Sequence, residues 1–324
     1  MSEISTELRA ALERASSGAS TVAVTAAVER LSARYRTVAA ADSPILSSRA
    51  DVLAYAVYRM PATYAAVRLA LLHGLDAGLG AVESLVDLGG GTGASVWAAA
   101  DVLPGLAQAT VLEQVAEAHR LGRDLAGDTL PRADWRTWRL GEPVPAGDLV
   151  TVSYVLSELS PSQQQRVVDD ATGAAQRAVL VVEPGTPDGH RRVLTARAAL
   201  IDADWQVIAP CPHALGCPLA VDDWCHFAAR VNRSALHRKV KGGELSHEDE
   251  KFSYVLAVRP GEAPSPGGAA RVVRHPVKRK GLVELQLCRP DGSAGREVVS
   301  KRQGPAYKAA RDVAWGDAWP PDPS

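Results

Sequence analysis

The chain has 324 residues, 46% of them apolar and 23% charged, and a formal net charge of −1. That length can bury a full core, and that balance excludes both a disordered polyelectrolyte and a chain drawn by its overall field to nucleic acid or an anionic membrane. No apolar run reaches the roughly eighteen residues that cross a bilayer, and Met1-Ser2-Glu3-Ile4-Ser5 lacks the basic-then-apolar layout of a secretion signal; a cytoplasmic address without a membrane partner is expected.

From Leu8 to Leu79 the spacing predicts helices: Val24, Val28, Leu31 and Tyr35 form one stripe, and Leu53, Val57, Met60, Tyr64, Val67 and Leu71 another. Pro61 lies inside the second stripe and must kink that helix or begin a new one. From Ser84 short apolar runs alternate with helical stretches, the pattern of a parallel sheet with crossover helices. Strands are predicted at Leu85–Leu88, Thr110–Glu113, Leu149–Tyr154, Ala178–Glu183, Trp205–Ala209 and Phe252–Val258. Helices fall between them at Ala94–Val102, Ala116–Leu125, Pro161–Gln176 and His190–Ala203. Residues 210–251 interrupt this rhythm as an insertion with three of the four cysteines. A Pro/Gly-rich linker at 260–268 marks a boundary, beyond which Ala270–His275, Leu282–Cys288 and Glu297–Ser300 read as strands of a small β unit followed by a helix near Ala306–Arg311. The division expected is a helical region over 1–80, an α/β domain over 81–259 and a C-terminal β unit over 269–324.

Leu85-Val-Asp-Leu-Gly-Gly-Gly-Thr-Gly93 is an apolar strand running into a glycine loop and then a helix. Glycines at 89, 91 and 93 let the backbone turn sharply and approach a ligand closely. Glu113 ends the next strand, twenty-six positions after Asp87, where a carboxylate can accept both ribose hydroxyls of an adenosyl group. The fourth strand, Asp148-Leu-Val-Thr-Val-Ser-Tyr154, resembles the segment of methyltransferases that lies beneath the methionine part of the cofactor, and Ser153 is counted with it. Together these features resemble class I S-adenosylmethionine-dependent methyltransferases over residues 84–258, which implies a Rossmann-like α/β fold and Asp87, Gly89, Gly91, Gly93, Glu113 and Ser153 as the cofactor contacts. Chemistry would then be in-line displacement at the sulfonium methyl. No Asp/Asn-Pro-Pro-Tyr/Phe follows the fourth strand, and no cysteine lies there to attack a pyrimidine. Glu158 is nearby and could act as a base, but a carboxylate near a helix start has an electrostatic reason to be there. No catalytic residue is assigned.

The only four cysteines are Cys211, Cys217, Cys225 and Cys288. Three form a C-x5-C-x7-C cluster and the fourth comes from the β unit. Four thiolates suit tetrahedral zinc or a [4Fe-4S] cluster, and spacing does not choose between them. His213 and His226 sit beside them as donors or substitute ligands. Arg59-Met-Pro-Ala-Thr-Tyr64, Val182-Glu-Pro-Gly-Thr-Pro187, Cys211-Pro-His213, Cys217-Pro-Leu219, Asp223-Trp-Cys-His-Phe227, Lys241-Gly-Gly-Glu244, Glu248-Asp-Glu-Lys-Phe-Ser-Tyr254 and Trp315-Gly-Asp-Ala-Trp319 resemble the methyltransferase-like small-ribosomal-subunit assembly family over residues 50–319. That resemblance implies a [4Fe-4S] cluster on the four cysteines and binding to small-subunit ribosomal RNA during assembly, with catalysis open for some relatives.

Two stretches are basic and free of carboxylates: Arg230, Arg233, His237, Arg238, Lys239 and Lys241, and then Arg271, Arg274, His275, Lys278, Arg279 and Lys280. With few aromatics interleaved, they are expected to contact RNA backbone rather than read sequence. Three functions remain open. One is an rRNA methyltransferase of the small subunit, another is a non-catalytic assembly factor that uses cofactor and cluster as structural ligands, and the third is a small-molecule methyltransferase that leaves cysteines and basic stretches idle.

Overall fold

A computed structural model describes residues 4–36, 48–130, 132–220, 222–232, 247–262 and 268–321. The N-terminal region folds as helices α1 (Thr6–Ser16), α2 (Thr21–Arg36), α3 (Arg49–Tyr58) and α4 (Met60–Asp76). Serine side chains cap two of them: Ser5 Oγ accepts from Leu8 N and Ser48 Oγ from Asp51 N, satisfying donors that a helix start leaves unpaired. Pro61 begins a new helix rather than kinking an old one, since it stands in the first turn of α4 where its missing N–H costs nothing. Tyr64, Val67 and Leu71 of α4 are fully buried. Leu31 and Tyr35 of the first predicted stripe have side chains outside the described residues.

The strands are β1 (Ser84–Leu88), β2 (Gln108–Glu113), β3 (Ala133–Thr137), β4 (Gly147–Ser153), β5 (Ala175–Pro184), β6 (Gln206–Ala209), β7 (Phe227–Asn232) and β8 (His247–Val258). Their order is β3-β2-β1-β4-β5-β8-β6; β1 to β5 run parallel, and β8 runs antiparallel between β5 and β6. This is the Rossmann-like sheet of the class I methyltransferase fold that the sequence led us to expect. Helices α5 (Ala94–Val102), α6 (Ala116–Ala126), α7 (Pro161–Ala174) and α8 (Pro187–Asp202) make the crossovers. Alternation along β5 shows the layering: Ala178, Leu180 and Val182 face a core shared with α4, α5 and α6, and Val179 and Val181 face one shared with α7 and α8.

Two strands of this sheet were not legible in the sequence. In β3 only Trp135 is buried among polar neighbours, so the edge strand shows no apolar alternation. β7 lies within the stretch read as an irregular insertion. It pairs with the first half of β8, from Phe227 against Phe252 to Asn232 against His247, while the second half of β8 pairs with β5 and β6. Arg233, His237, Arg238, Lys239 and the Lys241-Gly-Gly-Glu244 motif lie outside the described residues.

The C-terminal segment forms a second sheet of β9 (Ala270–Val272), β10 (Val277–Arg279), β11 (Leu282–Cys288), β12 (Ala294–Ser300) and β13 (Ala318–Trp319), with helix α9 (Pro305–Asp312). The strand expected to run from 270 to 275 stops at Val272; Pro276, which has no N–H for a ladder, stands between it and β10. Val272, Val283, Leu285, Leu287, Val299 and Trp319 fill a core of their own.

Candidate cofactor and thiol sites

The strand order reverses between β1 and β4, and ligands of open α/β sheets bind outside the carboxyl ends at that point. The glycine loop leaves β1 there, with Gly89, Gly91 and Gly93 at φ of +66°, +55° and +89°. A Cβ at Gly93 would come within 2.9 Å of the Trp135 ring, whereas one at Gly91 would meet nothing nearer than the Tyr55 ring at 3.9 Å. A side chain at Gly91 is therefore opposed less by crowding than by the left-handed backbone the loop requires there. Trp135 also fixes the loop from beneath, donating from Nε1 to Gly91 O at 3.2 Å.

Asp87 is fully buried. Its Oδ1 accepts from Thr151 Oγ1 at 2.7 Å, and its Oδ2 has no partner. Burial raises its carboxyl to about 7, opposed by hydrogen bonds from Thr151 and Ser95 and assisted by the charge of Glu113. An orphaned acceptor beneath a positive-φ loop fits a site that receives a donor. Glu113 is nearly buried; one carboxylate oxygen accepts Gly91 N at 3.1 Å and the other accepts Gln114 N and Val115 N at 2.8 and 2.9 Å. An ionised carboxylate offers about four acceptor positions. With three in use, accepting both ribose hydroxyls requires one backbone N–H to be released. Ser153 Oγ receives a hydrogen bond from Ser95 Oγ at 3.2 Å, which places it beside the same loop.

The far side of this crevice was not foreseen. Tyr154 follows β4 with φ +61°, a backbone state that a tyrosine rarely holds. Its hydroxyl donates to Glu250 Oε1 at 2.9 Å, and the Arg59 guanidinium donates to both oxygens of Glu250 at 3.1 and 3.4 Å while lying 5.7 Å from the Tyr154 ring. Burial and the Glu250 charge push the Tyr154 phenol well above its usual range. Three segments far apart in the chain thus meet at one ion pair. Glu183, at the end of β5, is fully buried, paired with Arg192 at 2.7 Å and accepting from Leu156 N at 3.0 Å; it anchors the turn that contains Glu158.

The four cysteines line one cavity together with Arg197, Tyr254 and Val273. All four are free thiols. Burial pushes Cys211 and Cys225 up, and Cys288 to about 12, with neighbouring cysteines adding to the rise and the Arg197 and Arg271 guanidiniums opposing it at Cys211 and Cys288. Arg197 donates to His213 O and Leu215 O at 2.7 and 2.8 Å, shaping the loop between Cys211 and Cys217, and its Nε is buried without a partner. His213 Nε2 lies 3.4 Å from Cys288 Sγ, the neighbouring-donor position foreseen for it.

Among the described residues, no three His, Cys, Asp or Glu side chains converge closely enough to hold a single metal ion. A tetrahedral zinc with Zn–S bonds of about 2.3 Å requires such convergence. The donor set is four thiols on a cavity that the Arg197 guanidinium also lines, and a guanidinium there offsets the charge that thiolates carry.

The second basic stretch requires correction. Arg271 is buried, donating from Nε to Pro210 O at 3.1 Å and from Nη1 to Gly316 O at 2.7 Å, so it fastens the β unit to the cysteine loop and is not a phosphate contact. Arg274 pairs with Asp223 and Arg279 approaches Glu284 at 3.6 Å. Arg230, in the first stretch, pairs with Asp249. Lys278 and Lys280 stand exposed. Both stretches lack carboxylates along the chain, but folding brings acids from other segments against them.

A family model described as mitochondrial small ribosomal subunit Rsm22 matches residues 49–320. The chain belongs to this Rsm22 family. The match takes in α3, the glycine loop and all four cysteines, and it bears out the resemblance read from the motifs. The human protein named ribosome assembly protein METTL17, mitochondrial, is 28% identical over 290 residues, 83% of this chain and 62% of that protein. The Schizosaccharomyces pombe Rsm22-cox11 tandem protein 2, mitochondrial, is 28% identical over 182 residues, 44% of this chain and 24% of that one. This Rsm22-family chain thus spans less than two thirds of the length of either relative. Among solved structures, magnesium protoporphyrin IX methyltransferase from Synechocystis PCC 6803 with bound SAH resembles it with a TM-score of 0.41 at 12% identity, covering 63% of this chain and 85% of that one. The family and both relatives carry mitochondrial names, which overturns the cytoplasmic address expected above. That expectation rested on the lack of an apolar run, and other addresses are written without one.

Proposed function

We propose that this Rsm22-family chain binds S-adenosylmethionine at the Gly89–Gly93 loop, acts on the small ribosomal subunit or its rRNA, and holds a [4Fe-4S] cluster through Cys211, Cys217, Cys225 and Cys288. The observation that carries the cofactor reading is the meeting of the unpartnered Asp87 oxygen, the Glu113 carboxylate and the left-handed Gly89–Gly93 loop at the point where the strand order reverses. The bound cofactor would supply an electrophilic methyl group. The chain's own part is to orient it: Glu113 toward the ribose, the loop backbone and Asp87 toward the methionine end. The cluster reading is supported by four thiols on one cavity that Arg197 also lines. The ribosomal partner follows from the family and from the relative named as an assembly protein.

One observation favours the non-catalytic version of this reading. At the end of β4, where an acceptor would meet the methyl group, Tyr154, Glu250 and Arg59 are bonded to one another. Anaerobically purified protein should contain iron and sulfide, and Cys288→Ser should lose most of both; stoichiometric zinc without sulfide would refute the cluster. Labelled cofactor incubated with immature small subunits then separates the versions, since label in rRNA requires catalysis, and saturable binding without label supports a structural ligand.

A further inference from the structure

The chain's aromatic residues near the thiol cavity fall into two groups. Phe227, Phe252, Tyr254 and Trp319 are at most 5% exposed and belong to the cores. Trp224, His226 and Trp315 are half-buried, and His275 is exposed. These four come from three separate segments and touch in series. Trp224 and His226 stack with centroids 5.4 Å apart at 27°, His226 meets Trp315 edge-on at 5.0 Å, and Trp315 meets His275 at 4.6 Å. Their polar edges are turned inward: Trp224 Nε1 donates to Gly185 O, and Trp315 Nε1 is buried. What each indole exposes is therefore ring carbon. Asp223, the carboxylate beside Trp224, is neutralised by Arg274. Three residues beyond His275, within about 10 Å of extended chain, lies Lys278, followed by Lys280, both exposed in a stretch from 271 to 283 without a carboxylate.

We propose that Trp224, His226, Trp315 and His275 form a base-stacking platform for an unpaired RNA strand whose phosphates run past Lys278 and Lys280. The proposal rests on the RNA reading above and revises one part of it. Along the sequence the basic stretches lack interleaved aromatics; in the folded chain the aromatics arrive from elsewhere. Ring faces beside a cationic ribbon are the combination that binds single strands, because every base has a face to stack while the phosphates supply the charge. A duplex keeps its bases inside the helix and offers such a platform much less.

The test uses full-length, anaerobically purified protein with a labelled ten-nucleotide oligouridine and a duplex RNA of equal length, titrated at several salt concentrations. Oligouridine is expected to bind more tightly than the duplex. Trp224→Ala and Trp315→Ala should each weaken it by roughly 5- to 150-fold, the range for losing one stacked base, without changing the slope of log affinity against log salt. Lys278→Gln with Lys280→Gln should instead flatten that slope, by about 0.7 for each phosphate that is no longer neutralised. Iron content and circular dichroism must match the parent protein. If a tryptophan variant does not fold, His275→Ala decides, because that exposed ring can be removed without opening a core. Oligouridine binding that is salt-dependent yet unaltered by the aromatic substitutions, or a preference for the duplex, overturns the platform and leaves the RNA reading standing. Absence of binding to both RNAs at low salt overturns the RNA reading along with it.

Discussion

Asp87, Gly89, Gly91 and Gly93 lie within seven consecutive residues, and β1 delivers them to the crevice as a unit. The cysteines span Cys211 to Cys288 and reach their common cavity only because three different segments fold against one another. The first site is a property of a strand-turn-helix segment and tolerates ignorance of the rest of the chain. The second is a property of a junction between two sheets, and it is fastened by groups that no cysteine pattern announces. Arg271 ties the β unit to Pro210 and Gly316, Arg274 reaches Asp223, and the Leu215 side chain packs where a Cβ at Gly292 would stand. The β unit and the cysteine loop are thus already joined in part by hydrogen bonds and packing. Thiols that line a wall can then receive a group without also having to hold two sheets together.

This contrast is broken most directly at Arg271. Arg271→Met removes two hydrogen bonds from a charged donor and leaves two buried carbonyls unpaired, so unfolding in urea should show a loss of about 2–4 kcal/mol even in protein stripped of iron. If iron-free Arg271→Met is as stable as its iron-free parent, the protein contacts do not fasten the junction. The thiols would then do so alone.

At the loop, Glu113→Ala should weaken S-adenosylmethionine binding by about 1–3 kcal/mol, the range for losing hydrogen bonds to a charged group. Glu113→Gln should recover part of this, since its amide oxygen still accepts from the loop N–H groups. Calorimetry on both variants checks the pair, and equal affinity in all three proteins would remove Glu113 from the site.

A pH profile extends the comparison to Asp87, whose folded-state value of about 7 lies above its ordinary 3.8. Between these values the folded state holds a proton that the unfolded state has lost. The contribution of Asp87 to stability therefore falls as pH rises from about 4 to about 7, with a slope no steeper than about 1.4 kcal/mol per pH unit, and is level above that. Asp87→Asn should remove this slope. Parallel stability profiles for the two proteins across that range would show that the carboxyl titrates normally.

The sequence by itself determined the α/β order, the glycine loop and the acidic end of β2. Each of these is written in short-range spacing: alternation along a strand, glycine where the backbone must turn left-handed, carboxylate at a strand end. Tertiary structure alone decided what has no local signature. Edge strand β3 carries polar residues on both sides of Trp135 and shows no period, yet it supplies the ring on which the loop rests. Arg59, Tyr154 and Glu250 are charged or polar residues in three separate elements and become an ion-paired cluster only when the sheet and α4 are assembled. Arg271 read as one more member of a basic run, but the fold buried it, because a guanidinium can be taken from water where carbonyls from two other segments meet its donors. Trp224 and Trp315, ninety-one positions apart, are brought to either side of one imidazole by the packing of β7 against the C-terminal unit. Spacing along the chain fixes which faces must be buried, and only the closing of those faces settles which distant polar groups are left facing each other.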